Sequence, residues 1–160
     1  MNLPYYEKGW RIGVGIVLLN SKKEIFMGER LDNKGAWQMP QGGVKIGRNE
    51  ELNEAATREL YEETGIKNAK LVSKSKEWHY YKLPKPIADK LWRGKFIGQK
   101  QKWFLFHFLG QNTEININNS SKPEFYDWKW VNPKEVSNKI VNFKKKIYKK
   151  VLLEFSVLLN

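Results

Sequence analysis

The stretch that decides the fold covers residues 42–66 and reads GGVKIGRNEELNEAATRELYEETGI. A pair of glycines opens this stretch, and Gly65 closes it at a position suited to the left-handed C-terminal cap of a helix. We therefore predict a single helix from about Asn49 to Gly65. Its acidic side chains stand out, because the chain as a whole carries a formal net charge of +12.

A helical wheel at about 100° per residue relates these acidic side chains to the apolar stripe of the helix. The stripe consists of Leu52, Ala55, Ala56 and Leu60. On the wheel, Glu59 and Glu63 point in the same direction as the stripe and Glu62 flanks it. Glu54 lies on the opposite side, where water solvates its charge.

Inward carboxylates are costly unless a cation compensates their charge, and neighbouring carboxylates repel one another. Lysine or arginine can supply that cation, but a divalent metal ion is the economical solution. Ligands that are all oxygen select Mg²⁺, Mn²⁺ or Ca²⁺ over zinc. The alternative is an exposed acidic face that balances the lysines of the chain. The inward phase of Glu59 and Glu63 and the flanking glycines favour the metal site.

The composition of the 160-residue chain indicates one folded domain over residues 1–160, with 41% apolar residues and a substantial core. The absence of cysteine excludes disulfides, thiolate catalysis and cysteine-ligated metals. The positive charge favours polyanions such as nucleic acid, nucleotides or anionic lipid, although lysines that only confer solubility are an equal alternative. We find no signal-peptide core and no apolar run long enough for a membrane span, so we expect a cytoplasmic protein without membrane contact.

Strand-like segments alternate with turns on both sides of the acidic helix. They cover residues 11–19, 24–28, 36–41, 70–75, 77–83, 102–109 and 125–131. The apolar run 102–109 predicts a central strand covered on both faces, with Trp103, Phe104, Phe106 and Phe108 in the core. Residues 84–98 are predicted as a loop with prolines and lysines, and residues 140–159 as an amphipathic helix. His79 and His107 lack the spacing of metal ligands, and we expect them to be structural.

The acidic stretch resembles the Nudix box of the Nudix hydrolase superfamily. The resemblance rests on Gly42, Gly43 and Glu50 and on the segment 58–66, which begins Arg58-Glu59 and contains Glu62-Glu63. The sequence departs from the family pattern where Arg48 and Asn49 separate Gly47 from Glu50, because relatives usually have Gly-Glu adjacent there. Glu50 has the family spacing from Arg58, and Glu51 is the alternative for the same role.

Further segments are similar to one branch of this superfamily, the bacterial RNA pyrophosphohydrolases, which are themselves closely similar to dinucleoside polyphosphate hydrolases. These segments are residues 37–43, 81–85, 97–105 and 123–131. The resemblance implies an α/β fold, the Nudix α/β/α sandwich with a mixed β-sheet between helices. It also implies water attack on a phosphoanhydride, with Mg²⁺ as cofactor and Mn²⁺ as a substitute.

The resemblance also assigns roles to residues. The implied metal ligands are Glu59, Glu62, Glu63 and Glu124. Glu50 would pair with Arg58 as a support of the catalytic helix, and either Glu63 or Glu124 would act as general base.

The resemblance places substrate contacts outside the box. Phosphate contacts fall on Arg11, Arg30, Tyr81 and Lys144, and contacts to the first base on Val141 and Phe143. Each of these residues alone would equally fit a salt bridge or core packing. The lysines at 144–146 and 149–150 predict a basic edge on the last helix, suited to a phosphodiester backbone or only to solvation.

Three functions follow as hypotheses. The first is an Mg²⁺-dependent enzyme that removes pyrophosphate from 5′-triphosphorylated RNA, leaves a 5′-monophosphate and so promotes mRNA decay. The second is a hydrolase of diadenosine tetra- or pentaphosphate, and the third is a catalytically silent RNA- or nucleotide-binding module. We expect a monomer in each case.

Overall fold

The computed structural model describes residues 5–138, 140 and 142–160, except for the side chains at 137, 142 and 143. The strands are β1 (Trp10–Leu19), β2 (Ile25–Arg30), β3 (Trp37–Gln38), β4 (Gln41–Gly43), β5 (Ala69–Lys74), β6 (His79–Lys82), β7 (Gly98–Phe108) and β8 (Phe125–Val131). The helices are α1 (Leu52–Thr64), α2 (Lys85–Trp92), α3 (Asn142–Glu154) and α4 (Ser156–Leu159). Short 3-10 helices cover Ile46–Arg48, Asn112–Glu114 and Pro133–Asn138.

The sheet is mixed because its two central strands, β1 and β7, run parallel, from Trp10 beside Gly98 to Leu19 beside His107. The other pairings in the described chain are antiparallel. The main strand order is β3-β2-β1-β7-β5, while β4 pairs with β1, β6 with β7 and β8 with β2.

Alternate residues of the central strands point to opposite faces, and each face has its own core. On one face, Val14, Ile16 and Leu18 of β1 pack in a cluster with Ala55, Ala56 and Leu60 of α1. On the other face, Val17 and Leu19 pack in a cluster with Ile147, Tyr148 and Val151 of α3. This arrangement confirms the predicted α/β/α sandwich.

Strand β7 confirms the prediction of a central strand covered on both faces, since Phe104 and Phe106 pack towards α1 and Trp103 towards α3. Phe108 also lies in the core. The strand begins at Gly98 and not at Lys102, because hydrogen bonds to β6 extend it through polar residues.

The prediction of a plain loop over residues 84–98 is wrong, because Lys85–Trp92 form helix α2. Pro84 is the N-cap and Pro86 lies in the first turn, where a missing N–H breaks no helical hydrogen bond. Buried Ala88 attaches the helix to the body of the protein. Arg93 and Gly94 end it with φ angles of 53° and 73°.

The single strand predicted over residues 36–41 is also corrected, since β3 and β4 are separate. Between them, the Met39 amide donates to the Tyr148 hydroxyl (3.0 Å) and the Pro40 carbonyl accepts from the Ile16 amide (2.9 Å). This interruption brings β4 alongside the middle of β1.

Buried His79 is structural, as predicted, because its Nε2 lies 2.8 Å from Oε1 of Glu154 on α3. Among the described residues, no helix combines the length and the apolar character required to cross a bilayer.

Candidate active site

A cleft of about 950 Å³ gathers most of the predicted site residues from separate parts of the chain. The predicted residues that line it are Glu59, Glu62, Glu63, Glu124, Arg11, Arg30, Tyr81 and Lys144. Arg58 and Glu50 do not line the cleft, but Arg58 contacts two of the lining glutamates. Val141 lies outside the described residues, as does the side chain of Phe143.

The two glycines of β4 permit the close approach of charged groups to the backbone. A Cβ at Gly42 would overlap the carboxylate of Glu59, and one at Gly43 would overlap the guanidinium of Arg11. Any side chain at these positions would displace those groups. The glycine pair therefore lets an acidic and a basic group of the cleft lie directly against one strand.

Arg58 connects the N-terminal support of the site to the glutamates of α1. Its Nε and Nη2 donate to the two carboxylate oxygens of Glu50 at 2.7 and 3.0 Å. Nη1 donates to Glu59 (2.8 Å) and Glu62 (3.1 Å), and Nη2 also donates to the Gly43 carbonyl (2.8 Å). The hydrogen bonds from Arg58 lower the pKa of the Glu50 carboxyl. Arg58 thus fixes the orientation of Glu59 and Glu62 on the acidic face of α1.

The contacts of Arg58 also identify its acidic partner. The structure selects Glu50, while Glu51 is exposed and forms the N-cap of α1. The 3-10 turn Ile46–Arg48 and Asn49, with φ 54°, accommodate the extra residues before Glu50. The Glu50 carboxylate also accepts the Lys45 amide (2.9 Å) and so closes this turn.

Glu63 has the least solvent access of the α1 glutamates, and its burial agrees with the inward direction that the wheel predicts for Glu59 and Glu63. Only 6% of it is exposed, and its Oε2 has no hydrogen-bond partner among the described residues. Burial, then the charges of Glu59 and Glu124, raise the pKa of Glu63 well above its usual value. Burial also raises the pKa of Glu59, although hydrogen bonds from Arg58 oppose that shift. This part of the cleft therefore carries excess negative charge that a cation would relieve.

The donor set fits a hard divalent cation. Glu59, Glu62, Glu63 and Glu124 offer only oxygen, the ligand type that Mg²⁺ and Mn²⁺ prefer. The buried Oε2 of Glu63 has no hydrogen-bond partner among the described residues, and a cation bound there would satisfy it. Among the described residues, no three histidine, cysteine or acidic side chains are already grouped closely enough to hold a metal ion.

Glu124 reaches the cleft from a distant segment because β8 pairs with β2. Phe125 lies opposite Arg30, and the Leu31 amide donates to the Glu124 carbonyl (3.1 Å). A register shift between Glu29 and Arg30 accompanies this junction. The Arg30 guanidinium makes paired hydrogen bonds of 2.8 and 2.6 Å to exposed Asp32 at the cleft edge.

The structure corrects the position of Lys144, which was predicted as part of an exposed basic edge. It is only 3% exposed, and its Nζ donates to Oε1 of Gln38 (2.7 Å) inside the cleft. Burial, then the charge of Arg30, lowers the pKa of Lys144 to about 7. The remaining edge consists of exposed Lys146, Lys149 and Lys150, with Lys145 half-buried.

Tyr81 lines the cleft, and its hydroxyl accepts a hydrogen bond from Nε2 of Gln41 (3.1 Å). Burial raises its pKa to about 12, so the hydroxyl stays protonated at neutral pH. A neutral hydroxyl can donate to a phosphate oxygen without adding negative charge to the site.

Several residues that line the cleft are not predicted from the sequence, above all Gln38, Gln41 and Gln99. Gln38 and Gln41 belong to segments that resemble the family, yet no role was assigned to them. The signal for Gln99 is a pair of glutamines, Gln99 and Gln101, at strand spacing next to an apolar run. Such polar residues inside a covered strand require partners, and a ligand cleft supplies them.

Solved structures with the same fold include the dihydroneopterin triphosphate pyrophosphohydrolase of E. coli, with a TM-score of 0.70 and 18% identity. That match covers 91% of this chain and 99% of the other. The Ap4A hydrolase of C. elegans has a TM-score of 0.64 and 19% identity, over 94% of this chain and 99% of that one. At these identities the likeness establishes the fold alone.

Curated relatives are much more similar in sequence. The RNA pyrophosphohydrolase of Wolbachia pipientis subsp. Culex pipiens (strain wPip) is 49% identical over 94% of this chain and 91% of that protein. The RNA pyrophosphohydrolase of Orientia tsutsugamushi (strain Boryong) is 48% identical over 99% of this chain and 94% of its own length. A NUDIX domain is matched over residues 9–151, and together with these relatives it establishes that the chain belongs to the NUDIX family.

Proposed function

We propose that this protein is an RNA pyrophosphohydrolase, which removes pyrophosphate from the 5′-triphosphate end of RNA, leaves a 5′-monophosphate and so promotes mRNA decay. The observation that carries the proposal is that four glutamates and two arginines line the same cleft. A polyphosphate needs both kinds of group, because cations must neutralise its charge and carboxylates must hold the metal. The names of relatives at 48–49% identity support RNA as the substrate.

The proposed metal ligands are Glu59, Glu62, Glu63 and Glu124, with Mg²⁺ as the ion and Mn²⁺ as a substitute. When bound, such an ion neutralises phosphate charge and lowers the pKa of water. Glu63 or Glu124 would take the proton of the attacking water as the bond to the leaving phosphate breaks.

The proposed phosphate ligands are Arg11, Arg30, Tyr81 and Lys144. Arginine matches phosphate with paired hydrogen bonds, so Arg11 and Arg30 would hold the chain of phosphates in line. Burial of Lys144 places a cation inside the cleft at the cost of a lowered pKa, and a phosphate would raise that pKa again. Arg58 and Glu50 would act indirectly by holding Glu59 and Glu62.

Product analysis on a 5′-triphosphate oligoribonucleotide, with and without Mg²⁺, tests the proposal. We expect pyrophosphate and 5′-monophosphate RNA from the wild-type protein only with the metal. Glu62→Gln and Glu63→Gln should each lower kcat by at least about a hundredfold. Glu54→Gln is the matched control, because Glu54 is exposed on the other side of α1 and should turn over normally. Normal turnover in both test variants would contradict the role of α1.

The competing functions predict different results in the same assay. A dinucleoside polyphosphate hydrolase would show kcat/KM at least about tenfold higher on diadenosine tetraphosphate than on the RNA, a difference of about 1.4 kcal/mol. A silent binding module would bind the RNA and release no product under any metal condition.

A further inference from the structure

One contiguous segment of the cleft lining is largely apolar, in contrast to the rest. Among the described lining residues, every large aliphatic or indole side chain comes from residues 83–92. We call this group the apolar wall, and it consists of Leu83, Pro86, Ile87, Leu91 and Trp92. Apart from Tyr81, the other described lining residues are charged, amide, hydroxyl or glycine. The cleft lining therefore has two chemically distinct parts.

Helix α2 presents the centre of this wall. Ile87 and Leu91 are one helical turn apart and lie on the same side of the helix. They are 40% and 58% exposed, whereas Ala88 between them is 4% exposed and attaches the helix to the protein. Ile87 and Leu91 thus contribute little to the core, and their apolar surface is available to a ligand in the cleft.

The wall also carries an indole and a cation. Trp92 lines the cleft, and its ring packs edge-on against Phe96 with centroids 5.9 Å apart. Lys90 lines the cleft from the same helix, and Lys122 lines it from the segment before β8. Apolar and aromatic side chains beside lysines suit a ligand with a flat apolar face and an attached phosphate.

We propose that the apolar wall binds a nucleobase of the substrate while the phosphates occupy the end of the cleft lined by Glu59 and Glu63. This inference rests on the proposed function and adds a base-binding surface from a helix that has no assigned role. A cleft of about 950 Å³ belongs to the upper range for ligand pockets and exceeds the needs of a triphosphate alone. Continuity of the wall with the carboxylates favours a part of the same substrate over a lipid or a protein partner.

The test removes the apolar character of the wall and keeps the helix. Ile87→Gln and Leu91→Gln are combined, because glutamine has high helix propensity and both side chains are exposed. The matched control combines Leu153→Gln and Val157→Gln, which are 74% and 87% exposed on α3 and α4 and do not line the cleft. Binding of a 3′-labelled 5′-triphosphate oligoribonucleotide is measured by fluorescence anisotropy in EDTA, where no turnover occurs. Inorganic tripolyphosphate, which has no base, serves as a competitor.

We expect the wall variant to raise the Kd for RNA by about tenfold, a loss typical of one base contact. The control variant should stay within about twofold of wild type. Both variants should bind tripolyphosphate as the wild type does. An unchanged Kd for RNA would overturn the proposal, because the wall would then make no contact with the base. An equal loss for RNA and tripolyphosphate would also overturn it, because the wall would then act on the phosphate site.

RNA with abasic nucleotides at its first two positions provides an independent arm. Wild-type protein should bind this RNA about tenfold more weakly than normal RNA, and the wall variant should show no additional loss. If the loss of affinity from the abasic RNA and the loss from the wall variant added in full, a contact between base and wall would be contradicted. Pyrophosphate release by the wild-type protein with Mg²⁺ tests the proposed function separately, so a failure of the base contact and a failure of the proposed function give different results.

Discussion

At the scale of single residues, the burial of Glu63 bears directly on the stability of the protein. Its carboxylate is buried, lacks a partner at Oε2 and faces the charges of Glu59 and Glu124. A buried, unpaired charge is destabilising, and a fold is expected to keep one only where a ligand compensates it. The sequence alone predicts this burial because the wheel orients Glu63 with the apolar stripe of α1.

This burial makes the stability of the metal-free protein depend on pH. The pKa of Glu63 in the folded state is raised above its usual 4.5, so the folded state binds the proton more tightly than the unfolded state. The contribution of Glu63 to stability is therefore most favourable below pH 4.5 and is lost as the pH rises through the raised pKa. In EDTA, we expect Glu63→Gln to raise Tm by about 2–4 °C near pH 8, equivalent to about 1 kcal/mol. The gain should disappear near about pH 5, where wild-type Glu63 is protonated.

Thermal melts of wild type, Glu63→Gln and Glu54→Gln over this pH range check the prediction. The Glu54 variant should follow wild type throughout, since Glu54 is exposed. A Glu63→Gln protein less stable than wild type near about pH 8 would show that its carboxylate already has a compensating partner.

At the scale of elements, the sequence predicts the strands and helices in which apolar residues recur with a regular period. The central strands β1 and β7, helix α1 and the amphipathic C-terminal helix have such patterns. Helix α2 was missed because Pro84 and Pro86 resemble a break, although both lie where a helix tolerates proline. The start of β7 is not predicted because Gln99 and Gln101 are polar, and they are buried by pairing with the distant strands β1 and β6.

The turn before α1 provides a prediction at this scale. Asn49 is exposed and has φ 54°, a left-handed conformation that disfavours β-branched residues. We expect Asn49→Val to destabilise the protein by about 1–2 kcal/mol. Asn49→Gly should stay within about 0.5 kcal/mol of wild type. Because the turn holds Glu50 against Arg58, the valine variant should also bind Mg²⁺ more weakly.

Urea unfolding gives the free energies, and calorimetric titration gives the Mg²⁺ affinity. The glycine variant is the control for loss of the asparagine side chain. Equal unfolding free energies for the valine and glycine variants would contradict the role of the left-handed turn in holding Glu50.

At the scale of the whole molecule, the candidate site combines one local and several distant contributions. The glutamates of α1 could be predicted from the sequence because a single helix fixes their mutual positions. Their physical neighbours depend on tertiary contacts: Gln38 and Lys144 meet across 106 positions of the chain. No local pattern encodes such a contact, and for the same reason the burial of Lys144 was not foreseen.

The distribution of positive charge supplies the final prediction. Lys146, Lys149 and Lys150 remain exposed on α3, the helix that also carries Lys144 into the cleft. If this edge follows the RNA backbone, changing all three to glutamine should reduce the slope of log K against log salt by about 1–2, at about 0.7 per lost phosphate contact. The control changes Lys22, Lys70 and Lys134, which are exposed and do not line the cleft, and removes the same net charge. It should alter the slope by less than about 0.7.

Anisotropy titrations of 5′-triphosphate RNA at several salt concentrations distinguish the two variants. Equal slopes for the two variants would contradict contact between the edge and the RNA backbone. The edge would then act only as part of the overall positive charge of the protein, which is +12. Diadenosine tetraphosphate lacks an extended backbone, so the edge variant should bind it as tightly as the wild type does. This comparison separates loss of contact with RNA from a change in the cleft itself.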